Sequence, residues 1–311
     1  MSGNIPLRSI PLLLVLCVFA AHAQSNKKKN VKLEPQTAPT AEVSKGAFAR
    51  APSGPFKVFE ALVSQMEDGQ QLTTDLRFVA GETVFFSVSV DNYRIGANSR
   101  LELSAEIEAV DPAGALFMPK ITDGIKTTLE EEDKEWKPKM RAQFVLPTLA
   151  HPGVYAIRYK VTDLATGQAV SGEKKLPVVG PDVAASDTLV VREFGFYRAE
   201  DEPVALTVAA YRPGDTLWAR FFLTGFKYGP ENAIDVTYDV TVVNAQGKQI
   251  FEQKDAAAER SKAFYPQPWV PGGLNLSLQK NMRVGTYGVI ITGRDAIGKQ
   301  TVSEKHEFRL E

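Results

Sequence analysis

Residues 101–110 read LELSAEIEAV, and residues 234–243 read IDVTYDVTVV. In both stretches apolar residues alternate with polar ones, which is the period of a β-strand with one buried and one solvated face. Each stretch leads into a turn sequence, DPAG at 111–114 and NAQG at 244–247, whose glycine can adopt a positive φ. Both stretches are therefore predicted to be strands that enter tight turns.

The two stretches belong to an internal repeat. A shift of 133 positions aligns residues 58–138 with residues 191–271 without a gap, and a slip of one residue restores the match further on. Duplication of one domain is the simplest account of such self-similarity. Identical residues occur throughout, among them Gly81 with Gly214, Trp136 with Trp269, Tyr155 with Tyr287, and Asp163 with Asp295.

The fold class follows from the number and length of the predicted strands. Short runs rich in β-branched and aromatic residues, such as VFFSVSV at 84–90 and LWARFFL at 217–223, are bounded by turn residues. No segment has a sustained helical period, and about seven short strands per repeat are typical of a Greek-key sandwich. We predict an all-β chain with two repeated β-sandwich domains in tandem, at 54–180 and 181–311.

One set of motifs resembles a known group of domains. The run Tyr211-Arg-Pro-Gly-Asp-Thr-Leu217, followed by Gly285-Thr-Tyr287, resembles the immunoglobulin-like domains of bacterial surface proteins and the macroglobulin-type sandwiches. The resemblance implies a fold and a binding or spacing role without naming a ligand. The thioester cysteine segment of macroglobulins is missing, so a covalent protease trap is not implied. Tyr155 and Tyr287 resemble the tyrosine corner, whose hydroxyl ties a loop to the sandwich.

The N-terminus has the features of a secretory signal peptide. Arg8 precedes an apolar run at 10–21, and Ala21-His22-Ala23 places small residues where signal peptidase cleaves, after Ala23. Residues 24–53 are polar and rich in Lys, Pro, Ser and Thr, which predicts a flexible linker. A periplasmic or secreted protein is expected, without stable membrane insertion after cleavage. Cys17 is the only cysteine and lies in the leader, so the mature chain has no disulfide.

Composition argues against several classes of function. The chain has 36 basic and 37 acidic residues, which gives no field that would attract nucleic acid. The mature chain keeps only His151 and His306, and no motif pairs either with a nucleophile. We therefore expect no enzyme, no catalytic residue, no cofactor and no metal site. The acidic loop from Glu130 to Glu135 is expected to be solvated, and whether it binds calcium stays open.

The strongest candidate for a binding site is a difference between the two copies. Where the first has the acidic loop, the second has FYPQPWVPGG at 264–273. Alternating aromatic residues and prolines form a stiff surface that loses little entropy on binding. Phe264, Tyr265 and Trp269 are the predicted binding residues. The alternative is that these rings close the end of the sandwich, and the shared Trp136 and Trp269 also suit a structural role.

These observations favour a non-enzymatic, exported binding or structural module. Its expected partner is an envelope protein or a surface polysaccharide. A carbohydrate-binding protein that uses the aromatic loop of the second domain is the alternative function. An enzyme or enzyme accessory domain with an unrecognised site is the third.

Overall fold

A computed structural model describes residues 49–67, residue 69 and residues 77–311. The predicted signal peptide (1–23) lies outside the described residues, as does the predicted linker up to residue 48. The described chain is all-β, which confirms that part of the prediction. It contains no α-helix and three short 3₁₀-helices, at Ala97–Ser99, Glu131–Glu135 and Pro230–Asn232. Within the described residues, no helix is long and apolar enough to cross a membrane.

The described residues form two compact units. The first comprises residues 49–182 together with Phe264–Pro268. It has a three-stranded sheet in the order β1-β3-β6 and a five-stranded sheet in the order β2-β8-β7-β4-β5. Among its described strands, only β2 and β8 pair in parallel. The strands are β1 (Lys57–Ser64), β2 (Phe78–Val79), β3 (Thr83–Asp91), β4 (Arg100–Val110), β5 (Ile121–Thr128), β6 (Lys139–Val145), β7 (Gly153–Asp163) and β8 (Ala169–Val179).

The second unit comprises Val183–Ala263 and Trp269–Glu311. Its sheets have the orders β14-β11-β9 and β10-β16-β15-β12-β13. Of the strands described here, only β10 and β16 pair in parallel. The strands are β9 (Val190–Tyr197), β10 (Ala210–Tyr211), β11 (Thr216–Thr224), β12 (Ile234–Val243), β13 (Gln249–Ser261), β14 (Val270–Ser277), β15 (Gly285–Asp295) and β16 (Gln300–Leu310).

The strand orders of the two units correspond strand by strand. Adding eight to each strand number of the first unit reproduces both sheets of the second. The registers agree as well, because Val110 pairs with Ala156 on β7, and the equivalent Val243 pairs with Gly288 on β15. On the next strand, Ala156 pairs with Lys175, and Gly288 pairs with Glu307. These pairings define the equivalent positions used below.

Alternation along the strands places the core of each unit. On β4, Leu101, Leu103 and Ile107 are completely buried, whereas Glu106 between them is partly exposed. The predicted strand at 234–243 likewise buries Val236 and Val240 in the core of the second unit. Each sheet therefore contributes one apolar face, as a period of two requires.

Two tyrosines tie loops to the sheets in the manner predicted for tyrosine corners. The Tyr155 hydroxyl donates to the backbone carbonyl of His151 at 3.1 Å, four residues upstream. The Tyr287 hydroxyl donates to the carbonyl of Arg283 at 2.8 Å, again four residues upstream. Because the two bonds occupy equivalent positions, they indicate a structural role for this residue, and the prediction is confirmed.

The turns that follow β7 and β15 are organised by two buried aspartates. Asp163 is 0% exposed and Asp295 is 1% exposed. Oδ2 of each aspartate accepts a backbone N–H from another loop, the one after β3 in the first unit and the one after β11 in the second. Oδ1 of each accepts backbone N–H groups of its own turn. The donors are Arg94, Ala165 and Thr166 for Asp163, and Lys227, Ile297 and Gly298 for Asp295, at 2.9–3.3 Å.

Candidate binding site

The aromatic segment is fixed to the first unit by Tyr265. Its hydroxyl donates to Oδ2 of Asp111 at 2.9 Å, and its half-buried ring packs edge-on against Phe117 with the centroids 6.4 Å apart. Burial, together with the hydrogen bond to Asp111, raises the pKa of Tyr265 well above its ordinary value near 10. The hydroxyl therefore stays protonated and remains a donor throughout the neutral range.

The three predicted binding residues lie in different environments. Phe264 is 55% exposed, which is the largest exposure among them. Trp269 is 1% exposed and meets Phe222 edge-on at 6.1 Å in the second unit. The structure thus keeps Phe264 and Tyr265 together on the first unit and leaves Phe264 as the ring with substantial surface. A stacking platform that includes the indole of Trp269 does not form, because that ring is buried.

Asp111 divides its carboxylate between two tasks. Oδ1 accepts the backbone N–H groups of Ala113 and Ala115 at 2.9 and 2.8 Å, which holds the predicted turn at 111–114. Oδ2 accepts the Tyr265 hydroxyl. Asn244, the equivalent residue of the second unit, holds its own turn through a single amide oxygen, Oδ1. The turn needs one acceptor, and the second carboxylate oxygen of Asp111 serves the aromatic segment.

A shallow depression of about 290 Å³ lies beside the same turn, on the outer face of the five-stranded sheet of the first unit. Its floor includes Val110 and Ala156, which are 2% and 7% exposed. Arg158 and Lys175 supply positive charge at its rim, and the Arg158 guanidinium pairs with Glu173 at 3.0 Å. Apolar floor and charged rim together suit a small amphipathic group.

Sequence reasoning missed this depression. Its floor and rim lie on three strands whose adjacency is set by the sheet, and of these strand residues only Val110 belongs to a stretch that the sequence analysis singled out. The repeat nevertheless contains a sign of this depression, which appears when the two copies are aligned with the one-residue slip. Ala156 aligns with Gly288, and Lys175 aligns with Glu307, so both size and charge differ between the copies at this place.

The other predicted residues lie in structural settings. Trp136 is half-buried against the first core, and its backbone carbonyl accepts the Tyr93 hydroxyl. His151 contributes its backbone carbonyl to the tyrosine corner. The His306 imidazole stacks on Phe194 with the ring centroids 3.6 Å apart, and burial lowers its pKa.

The acidic loop has local order. Its last five residues form the 3₁₀-helix Glu131–Glu135, and the Glu130 backbone N–H donates to Oδ2 of Asp133 at 3.1 Å. Glu135 pairs with Arg50 at 3.6 Å. In the described part of the chain, no group of three or more His, Cys, Asp or Glu side chains is arranged to hold a metal ion.

No family model matches the chain, and no curated protein matches it. Similar solved structures include the C-terminal domain of the Streptococcus pyogenes antigen I/II-family protein AspA, with 8% identity, 81% of this chain and 99% of that chain covered, and a TM-score of 0.29. The C-terminal domain of the Streptococcus agalactiae antigen I/II polypeptide BspA is similar at 9% identity, with coverages of 82% and 99% and a TM-score of 0.28.

A family 123 glycoside hydrolase from Clostridium perfringens, described for glycolipid glycan hydrolysis, is 12% identical. The alignment covers 40% of this chain with a TM-score of 0.28, and this chain spans 27% of the hydrolase. At these TM-scores the alignments establish neither a common fold nor a common activity. Function is therefore argued from the residues of the chain itself.

Proposed function

We propose that this chain is an exported, non-enzymatic binding module that contacts an envelope protein through the Phe264–Tyr265 segment. Its scaffold is two duplicated, immunoglobulin-like Greek-key sandwiches in tandem, at 54–180 and 181–311. The matching strand orders and the matched Asp163 and Asp295 support duplication.

The exposed ring of Phe264 on an anchored segment carries the proposal. Tyr265, the next residue, is held by its hydrogen bond to Asp111 and by its contact with Phe117. Pro266 and Pro268 follow and restrict the backbone. An aromatic side chain presented in this way loses little conformational entropy when a partner covers it, which favours tight contact at a small site.

The same segment supports a protein partner better than a sugar. Recognition of a sugar by stacking requires an exposed aromatic face, and the largest ring of the segment, Trp269, is buried in the second unit. Phe264 has no polar atom on its ring that could bond sugar hydroxyls. An apolar ring seated in a protein pocket is the common form of a binding hot spot.

The experiment compares two phenylalanines of similar exposure in the first unit. The mature chain is immobilised, a partner is captured from an envelope extract and identified, and its affinity is measured with the purified partner. Phe264→Ala should lower the affinity about thirtyfold, since hot-spot rings contribute roughly 2 kcal/mol or more. Phe59, which is 52% exposed, provides the matched control, and Phe59→Ala should bind normally. Equal affinities for the two variants would refute the contact.

Export has its own test. Cleavage after Ala23 predicts a mature N-terminus at Gln24, which intact-mass and N-terminal peptide analysis of the protein from its native host can identify. A full-length chain that remains in the cytoplasm would contradict the proposal. This experiment does not depend on the partner.

A further inference from the structure

We propose that the depression beside Asp111 binds the C-terminal carboxylate of a peptide that ends in a small aliphatic residue. Lys175 pairs with the carboxylate, and the floor formed by Val110 and Ala156 receives the aliphatic side chain. This inference names the chemistry of the partner and rests on the proposed function, because the depression and the aromatic segment share Asp111.

The charges around the depression leave one cation available. Both oxygens of Asp111 already accept hydrogen bonds, from the turn and from Tyr265. Glu173 pairs with Arg158 at 3.0 Å. Within the described part of the chain, Lys175 makes no ion pair, although it is exposed at the rim. Its ammonium is therefore the group that gains most from an incoming carboxylate.

The shape favours a terminal residue over a larger ligand. Pockets for small molecules span roughly 300–1,000 Å³, and this depression, at about 290 Å³, lies at the lower end. The floor residues are aliphatic, and Val154, which is 52% exposed, extends the apolar surface at one side. The described lining contains no aromatic ring for a sugar to stack on. An aliphatic side chain joined to a carboxylate matches the apolar floor and the ammonium of Lys175 at the rim.

The second unit shows the same place in a closed form. Gly288 occupies the position of Ala156, and the Lys305 side chain lies over it, where a Cβ atom would collide with Lys305. The Lys305 ammonium is itself paired with Glu307 at 2.8 Å, and Glu307 occupies the position of Lys175. The equivalent depression is thus filled and neutralised. The two units have the same strand pairing at this place, yet the depression is open in the first and filled in the second. The difference therefore comes from the side chains.

The test uses the full mature chain labelled with ¹⁵N and follows the amide signals of Ala156 and Lys175. The probe is N-acetyl-Ala-Ala with a free carboxylate, and its C-terminal amide is the matched ligand control. The acid should shift both signals with saturation, and the amide should bind up to about fivefold more weakly, since an exposed ion pair contributes up to about 1 kcal/mol.

Two charge reversals on the same sheet face complete the design. Lys175→Glu should weaken binding of the acid at least fivefold. Lys160→Glu, on the outer face of β7 but outside the depression, should leave it unchanged. Unaltered signals elsewhere in each spectrum establish that the variant is folded. Equal binding of acid and amide, or full binding by Lys175→Glu, would overturn the inference. So would shifts caused by galacturonate and not by the peptide, which would indicate an acidic sugar.

Phe264→Ala separates this inference from the proposed function. The variant should bind the dipeptide normally while it loses affinity for the whole partner. If the dipeptide does not bind while partner capture still depends on Phe264, only the carboxylate site is refuted. If the dipeptide binds and Phe264→Ala captures the partner normally, only the contact at Phe264 is refuted.

Discussion

The hydroxyl of Tyr265 donates a 2.9 Å hydrogen bond to Oδ2 of Asp111, which lies 154 positions earlier in the chain. This bond explains a difference between the copies. Asn244, at the equivalent position, has one oxygen acceptor and uses it for its turn. Asp111 has two, so it can hold the same turn and the aromatic segment at once. The second oxygen of Asp111 thus makes a contact for which Asn244 has no further oxygen acceptor.

Tyr265→Phe should destabilise the first unit by about 1 kcal/mol. The change removes the hydroxyl donor, keeps the ring against Phe117, and leaves one carboxylate oxygen of Asp111 to water. Urea unfolding of the full chain, followed by circular dichroism, measures the loss. Asp111→Asn is the matched variant and should cost a similar amount, because its amide oxygen still holds the turn, as in Asn244, while the acceptor of the Tyr265 hydroxyl is lost. A Tyr265→Phe protein as stable as wild type would show that the bond contributes nothing.

The two equivalent tryptophans should differ in their contribution to stability. Trp269 is 1% exposed, so Trp269→Ala should cost about 3–5 kcal/mol, the usual range for a large buried aromatic residue. Trp136 is half-buried, and Trp136→Ala should cost clearly less. Thermal and urea unfolding measure both. Equal losses in the free energy of unfolding would mean that the exposure of the tryptophan does not determine its contribution to stability.

The sequence predicted those features that depend on local pattern. Alternation along 101–110 identified the buried residues of β4, and the repeat identified Tyr155 and Tyr287 as corner residues. Both kinds of feature occur in each copy because they depend on the strand period and on the turns, which the two copies share. Pattern alone did not separate Phe264 from Trp269, since both are aromatic residues of one loop. Their exposures differ because the chain passes from the first unit to the second between them.

The candidate site could be predicted only in part, because it is formed by residues that are distant in the sequence. The depression depends on which side chains β4, β7 and β8 place side by side, and strand order is not a local property of the sequence. The bond between Asp111 and Tyr265 likewise joins distant segments. Differences within matched pairs, such as Lys175 against Glu307, are the signal that sequence comparison can offer for such sites.

Removal of either buried aspartate should destabilise its own unit to a similar extent. Asp163→Ala leaves backbone N–H groups of Arg94 and of the following turn without their acceptor, and Asp295→Ala does the same in the second unit. Each unsatisfied buried group costs about 1–3 kcal/mol, so losses of about 3 kcal/mol are expected for both variants. Unfolding in urea measures them. Losses that differ by more than about 2 kcal/mol would argue against equivalent roles.

Stability should fall in alkaline solution because of Tyr93. Burial raises the pKa of Tyr93 to about 12, against an ordinary value near 10, and its hydroxyl donates to the carbonyl of Trp136. The folded state thus favours the protonated phenol, so the contribution of Tyr93 is complete below pH 10 and is lost as pH rises from 10 through 12. By pH 12 the loss should reach about 2 kcal/mol, since one pKa unit corresponds to roughly 1.4 kcal/mol.

Tyr93→Phe isolates this contribution. The phenylalanine variant cannot ionise at this position, so its free energy of unfolding should fall less steeply between pH 10 and pH 12 than that of wild type. Tyr211 also has a pKa raised by burial, and the variant should therefore keep part of the slope. Absorbance at 295 nm should show one fewer late-ionising tyrosine in the folded variant. If wild type and variant lose stability in parallel, Tyr93 ionises as readily in the folded protein as in the unfolded chain.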